Sequence, residues 1–187
     1  MNGFAQRLSL AAGLLAVFVC STPAEAQRMG RGSAGPTAGE PGFAVYGGMA
    51  LPTGDGASYL NLGFTVGAQY DIPLRGALGL RANADFTRFA HEFDDASTSY
   101  SSLMANLVYR IETGTAHKPY LLGGLGVAYG SERFLGTITI PGLALNFGAG
   151  YNFTIGDTKL FTELRYVIPE MDNTSGGYLP IVVGLRF

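Results

Sequence analysis

The chain has 187 residues and a formal net charge of −2; 14% of its residues are charged and 28 are glycine. An average soluble domain carries about 25% charged residues, so this composition argues against a wholly water-facing surface. The nearly balanced charge gives no support for nucleic-acid binding. With one cysteine, Cys20, the chain forms no internal disulfide.

The N-terminus has the pattern of an export signal. Arg7 precedes an apolar run from Leu8 to Cys20, and a small-residue site follows at Ala24-Glu25-Ala26. The run is shorter than a membrane-spanning helix requires, so we expect a signal peptide over residues 1–26 that is cleaved before Gln27. Residues 27–42 are rich in Gly, Ala and Pro, and we expect a flexible periplasmic leader there, followed by one ordered domain over 43–187.

Eight segments of this domain carry apolar residues at every second position. Strand side chains point alternately to the two faces of a sheet, so this period predicts β-strands and no helices. The predicted strands are 43–51, 60–72, 78–87, 102–111, 121–129, 143–153, 160–168 and 179–187.

The connections between these segments differ in length. Short turns are expected at Pro73–Gly76, around Gly114 and at Gly156-Asp157. Three of the intervening connections are expected to be longer loops, over Arg88–Ser99, Gly130–Pro141 and Pro169–Gly177, and the remaining one begins at Pro52. Such an asymmetry is typical of barrels with short periplasmic turns and longer extracellular loops.

The composition of the second face indicates which face is outside. A soluble barrel buries its apolar face, whereas a membrane barrel turns that face to lipid. Opposite the apolar positions of 60–72 stand Asn61, Gly63, Thr65 and Gly67, and the two lysines of the whole chain fall at turns. Small and amide side chains suit a crowded lumen better than a water-facing wall. The sequence therefore predicts an all-β, eight-stranded antiparallel up-and-down transmembrane β-barrel in the outer membrane.

Aromatic residues gather at one end of these segments. Tyr70, Tyr109, Tyr151, Phe153 and Phe187 all fall where a strand approaches a short turn or the C-terminus. We expect them to form an interfacial aromatic girdle.

Three stretches carry a family resemblance: His117–Gly126, Leu160–Tyr166 and Leu179–Phe187. With them, the chain from about Gly42 to Phe187 resembles the small eight-stranded outer-membrane β-barrels represented by OmpX and the membrane domain of OmpA. The resemblance implies a monomer among outer-membrane lipids and lipopolysaccharide. It also implies that the barrel-assembly machinery recognises the last strand, an assembly signal whose outward residues are Val183, Leu185 and Phe187.

Charged residues on the lumen face form one candidate site. They are Arg81, Asp85, Arg110, Glu163, Arg165 and Arg186. An eight-stranded barrel is just wide enough to be filled by side chains, and an isolated buried charge is costly. We therefore expect a structural ion-pair network in which arginines hold Asp85 and Glu163.

The favoured function is a structural or surface-interaction role, with recognition at the extracellular loops. The alternatives are a narrow channel for small solutes, a lipid A-modifying enzyme and a soluble lipocalin-like carrier. His91, Glu92, Asp94 and Asp95 keep catalysis or cation binding open, but no nucleophile pair or calcium-loop spacing is present. We therefore expect no catalytic residues, no metal and no cofactor.

Overall fold

The computed structural model describes residues 41–91, 96–113, 118–133, 137–170 and 176–187, with the backbone alone at 132–133 and 137–141. The described residues form a closed antiparallel barrel in which each strand pairs with the next and the first pairs with the last. The signal peptide and nearly all of the leader fall outside the described residues and stay predictions.

The eight strands follow the predicted order along the chain. Their bounds are β1 Gly42–Pro52, β2 Gly63–Pro73, β3 Leu78–Ala90, β4 Ser97–Arg110, β5 Lys118–Arg133, β6 Thr137–Ile155, β7 Thr158–Glu170 and β8 Tyr178–Arg186. One short 3-10 helix, Gly54–Ser58, interrupts the connection after β1, where only a turn or loop was expected. Within the described ranges, no helix has the length and apolarity to cross a membrane.

The two faces of the barrel differ as predicted. Leu62, Phe147 and Val183 are 55%, 57% and 56% exposed, whereas Arg81 and Glu163 are 3% and 2% exposed. A contiguous apolar exterior of this kind is stable only against lipid. A closed barrel also satisfies its backbone hydrogen bonds without an exposed edge, as a bilayer requires. The arrangement excludes the soluble lipocalin-like carrier.

Strands β3 to β6 extend further than predicted at the end of the barrel that lies opposite the start of β1 and the end of β8. Both ends of the expected loop 88–99 are strand, because β3 continues to Ala90 and β4 starts at Ser97; residues 92–95 lie outside the described part of the chain. The expected loop 130–141 is also mostly paired: β5 and β6 stay in register up to Arg133 and Thr137. Residues above the apolar band meet no lipid, so the series of outward apolar residues ends before the backbone pairing does.

Leu60 is a further correction. We expected it to start the second strand on the apolar exterior, but it forms an isolated bridge with His91 and is only 9% exposed. It packs inside the barrel mouth with Ala50 and Phe89. The strand itself begins at Gly63.

The short turns identify the periplasmic end. Residues 74–77 connect β2 to β3, and the two residues Gly156 and Asp157 connect β6 to β7. Gly76 and Gly156 adopt φ values of 63° and 60°, which favour glycine. The start of β1 and the end of β8 lie at this same end, because Phe187 N donates to Phe43 O at 2.8 Å. Since outer-membrane barrels have short periplasmic turns, the opposite end is extracellular.

Candidate functional site

The barrel interior contains a continuous chain of alternating charges, Arg186–Asp71–Arg81–Glu163–Arg165–Asp85, which we call the ion chain. Arg186 Nη2 lies 2.9 Å from Asp71 Oδ2, and Arg81 Nε lies 2.8 Å from Asp71 Oδ1. Arg81 also pairs with Glu163. Arg165 lies 3.0 Å from Glu163 Oε1 through Nε and 2.8 Å from Asp85 Oδ1 through Nη2. Three arginines therefore balance three carboxylates.

Two tyrosines and an amide complete the coordination of the carboxylates. Tyr120 OH donates to Glu163 Oε2 at 2.6 Å. Tyr46 OH and Asn83 Nδ2 both donate to Asp85. Hydrogen bonds to a charged acceptor are stronger than those between neutral groups, and they offset part of the cost of removing these charges from water.

Five of the six lumen charges predicted from sequence meet in this chain. Arg110 does not: its Nη1 donates to the backbone oxygen of Leu78 at 3.3 Å, and none of the ion pairs among described residues includes it. Asp71 is the member that the sequence reasoning missed. It was assigned to the polar face of the second strand, but its partner Arg81 becomes evident only when the β2–β3 register is counted outward from the turn.

Glycines make room for the large interior side chains. A Cβ at Gly150 would lie 2.2 Å from Tyr120 Cζ, and one at Gly67 would lie 2.5 Å from Tyr46 Cζ. A Cβ at Gly184 would likewise lie 2.3 Å from a ring carbon of Phe161. These rings lie directly over backbone that carries no side chain, which explains why glycine is common on the lumen face.

An aromatic cluster lies in the lumen on the extracellular side of the ion chain. Tyr100 and Tyr178 stack with ring centroids 5.4 Å apart, and Phe89 meets Tyr178 edge-on at 5.8 Å. Phe89 is fully buried. We call these three residues the aromatic cap. The cavity beside the cap, which Thr53 and Tyr59 also line, has a volume of about 20 Å³, enough for about one water molecule.

The predicted girdle and assembly-signal residues lie on the exterior at the periplasmic end. Tyr70, Tyr109 and Phe187 are exposed, and Tyr151 lies beside Phe153 with ring centroids 6.2 Å apart. The Phe187 ring stacks on Phe43 of β1 at 6.4 Å. Val183 and Leu185 also face outward.

His91 lies at the extracellular mouth. Its Nε2 is 2.8 Å from Thr98 Oγ1, and its ring meets Tyr59 edge-on. Glu92, Asp94 and Asp95 lie outside the described residues. Within the described ranges, no group of His, Cys, Asp or Glu has an arrangement suited to a metal ion.

An apolar exterior, an ionic interior and short turns at the end where β1 starts and β8 ends define an integral outer-membrane β-barrel protein. The family model described as "Outer membrane protein beta-barrel domain" matches residues 12–187. The chain belongs to this family, and its location is the outer membrane.

Solved structures with the same fold include proteins of different roles. Neisserial surface protein A, NspA, is 17% identical, with a TM-score of 0.65 over 80% of this chain and 97% of that one. Ail, the attachment invasion locus protein of Yersinia pestis, is 21% identical, with a TM-score of 0.53 over 81% and 100%. The outer membrane enzyme PagL is 16% identical, with a TM-score of 0.52 over 77% and 98%. No curated protein matches the sequence. Since an enzyme shares the fold, fold alone does not decide whether the chain is catalytic.

Proposed function

We propose that the protein is a sealed, non-catalytic outer-membrane barrel that presents its extracellular end as an interaction surface. The observation that carries this proposal is the occupied lumen. The ion chain crosses the middle of the interior, and the aromatic cap lies beyond it toward the extracellular mouth. A filled interior supports a role in which the barrel wall serves as a scaffold and recognition takes place outside it.

The β5–β6 hairpin supports an extracellular role. Its strands have 16 and 19 residues, whereas about 9–11 residues cross the bilayer in a tilted barrel strand. Because β5 and β6 pair from their periplasmic ends, the residues beyond the number needed to cross the bilayer lie on the extracellular side. NspA and Ail, which have the same fold, are named as a surface protein and an attachment protein.

Planar-bilayer recording tests whether the lumen is sealed. The purified protein should give no stepwise current in salt solution, because paired side chains occupy the middle of the lumen. Regular unitary conductance from folded wild-type protein would contradict the proposal. A variant with the cap removed, Tyr100→Ala with Tyr178→Ala, should also stay silent because the ion chain remains.

Binding of whole cells tests the surface role. Cells that display the wild-type barrel should bind immobilised extracellular-matrix proteins or glycans more strongly than cells with a shortened β5–β6 hairpin. Equal surface amounts of the two proteins, measured by quantitative blotting of outer-membrane fractions, provide the control. Equal binding by both cell types across the panel would contradict recognition at this hairpin.

One observation favours a narrow channel as the second candidate. Asn146 is 3% exposed, and neither its Oδ1 nor its Nδ2 has a hydrogen-bond partner among the described residues; the same is true of Asn106 Oδ1. Buried amides of this kind commonly bind ordered water, which would favour a hydrated path. The bilayer recording separates this candidate from the sealed barrel.

The non-catalytic part of the proposal rests on the geometry of His91. Thr98, the hydroxyl residue in contact with it, is 2% exposed, so a bulky lipid substrate has no access to that oxygen. Mass spectrometry of lipid A from cells with and without the protein should show the same acyl composition. A change in acyl number that Thr98→Ala abolishes would identify an enzyme.

A further inference from the structure

The periplasmic mouth of the barrel contains more positive charge than its carboxylates balance. Four basic residues that belong to the strands lie within two residues of a strand end there, in phase with buried lumen positions. They are Arg110 at the end of β4, Lys118 at the start of β5, Lys159 near the start of β7 and Arg186 at the end of β8. Lys159 and Arg186 are also register partners on neighbouring strands.

The charge balance of the interior makes Arg110 the unmatched member. The ion chain pairs three guanidinium groups with three carboxylates, and Arg110 is additional to them. Asp71 already forms ion pairs with both Arg81 and Arg186. Arg110 interacts electrostatically with Asp71 and also with Arg186. Glu112, two residues beyond Arg110, and Asp157, in the turn before Lys159, are the other side-chain carboxylates described at this end, and both are exposed to solvent.

The guanidinium of Arg110 packs closely against the backbone of a glycine. A Cβ on Gly79 would lie 2.8 Å from Arg110 Nη1 and 2.9 Å from Nη2, so the group rests on glycine backbone of β3. Gly79 is the register partner of Pro73. The next pair along these two strands whose side chains face the lumen is Asp71 with Arg81. Arg110 therefore lies next to the Asp71–Arg81 pair, at the periplasmic end of the ion chain.

Arg186, which pairs with Asp71, has a further donor available in Nε. Its Nε and Nη2 have no hydrogen-bond partner among the described residues, although Nη2 lies in ionic contact with Asp71. Buried guanidinium donors without partners are costly. Arginine presents a planar fork of donors that matches the oxygens of phosphate.

We propose that Arg110 and Arg186 form an anion site at the periplasmic mouth that binds a phosphate-type oxyanion. The oxyanion comes either from free phosphate in the periplasm or from the headgroup of an anionic phospholipid in the periplasmic leaflet. Lys118 and Lys159 add positive potential around the site. The site is independent of the extracellular role, because it lies at the other end of the barrel.

Calorimetric titration of the folded protein in zwitterionic detergent tests the free-phosphate source, with sodium phosphate compared with sodium chloride at equal ionic strength. Stability in phosphatidylcholine nanodiscs, with and without phosphatidylglycerol, tests the lipid source. We expect one or both anions to bind the wild type. Arg110→Gln should weaken that binding about tenfold, which corresponds to about 1.4 kcal/mol.

Two variants separate a defined site from general attraction. Arg75→Gln removes a positive charge from the turn at the same end and should leave the affinity within about twofold of the wild type. Gly79→Ala keeps every charge but displaces the flexible end of Arg110, and it should weaken binding as Arg110→Gln does. The proposal would be overturned if the wild type bound neither anion. It would also be overturned if Arg75→Gln and Arg110→Gln lost the same amount of affinity.

Discussion

Glu163 is the central residue of the interior, because it contacts both Arg81 and Arg165. Glu163→Ala leaves two guanidinium groups with fewer partners at sites that are each 3% exposed. Removing one partner of a buried ion pair costs about 3–5 kcal/mol, so we expect a loss of that size in the free energy of unfolding, measured by urea titration in micelles.

The matched control on the same strand is Glu170→Ala, at the exposed end of β7. It should change the free energy of unfolding by less than about 0.5 kcal/mol. If the two variants unfolded at the same urea concentration, the ion chain would contribute nothing to stability.

Asp71 shows how far sequence reasoning reaches at the residue scale. Alternation along the second strand places it on the lumen face, and that placement is correct. Its contact with Arg186 depends on β8 closing against β1, a relation between the two ends of the domain that no local pattern contains. The same limit applies to Arg110, whose inward phase was predictable but whose absence from the ion pairs of the described residues was not.

Glycines that face the lumen and glycines that face outward differ in the space available for a side chain. Gly150 of β6 lies under Tyr120, whereas a Cβ at Gly123 of β5 would have its nearest contact at 3.7 Å. Gly150→Ala should therefore destabilise the barrel by about 1–3 kcal/mol through overpacking. Gly123→Ala should have little effect. Thermal unfolding of both variants in one detergent checks the difference, and equal midpoints would contradict the packing argument.

The strands were predictable where lipid imposes alternation and not where it is absent. Residues 63–72 alternate and form the body of β2 as expected. Residues 137–140 of β6 alternate Thr with Ile, but their apolar positions are out of phase with Leu143 and Leu145, and the expected loop missed their pairing with β5. The rings over glycine were also missed, since each contact joins residues that are distant in the sequence.

Closure of the whole barrel depends on the seam between β1 and β8, where Phe187 stacks on Phe43. If Phe187 only packs at this seam, Phe187→Ala and Phe43→Ala should reduce folding equally. We expect Phe187→Ala to reduce the amount of folded barrel in cells several-fold more, because the assembly signal lies on β8. Heat-dependent gel mobility of outer-membrane fractions measures this amount, and refolding of the purified variants in detergent is the control.

The hairpin of β5 and β6 gives the molecule a feature useful to engineers. Its outer part is held by ladder pairs from Gly130 with Ile140 to Arg133 with Thr137, beyond the length that a bilayer crossing needs. A peptide grafted between the ends of these two strands would be supported by backbone pairing alone, and it would leave the apolar exterior and the charged interior unchanged. The protein could therefore serve as a compact display scaffold for short epitopes on living bacteria.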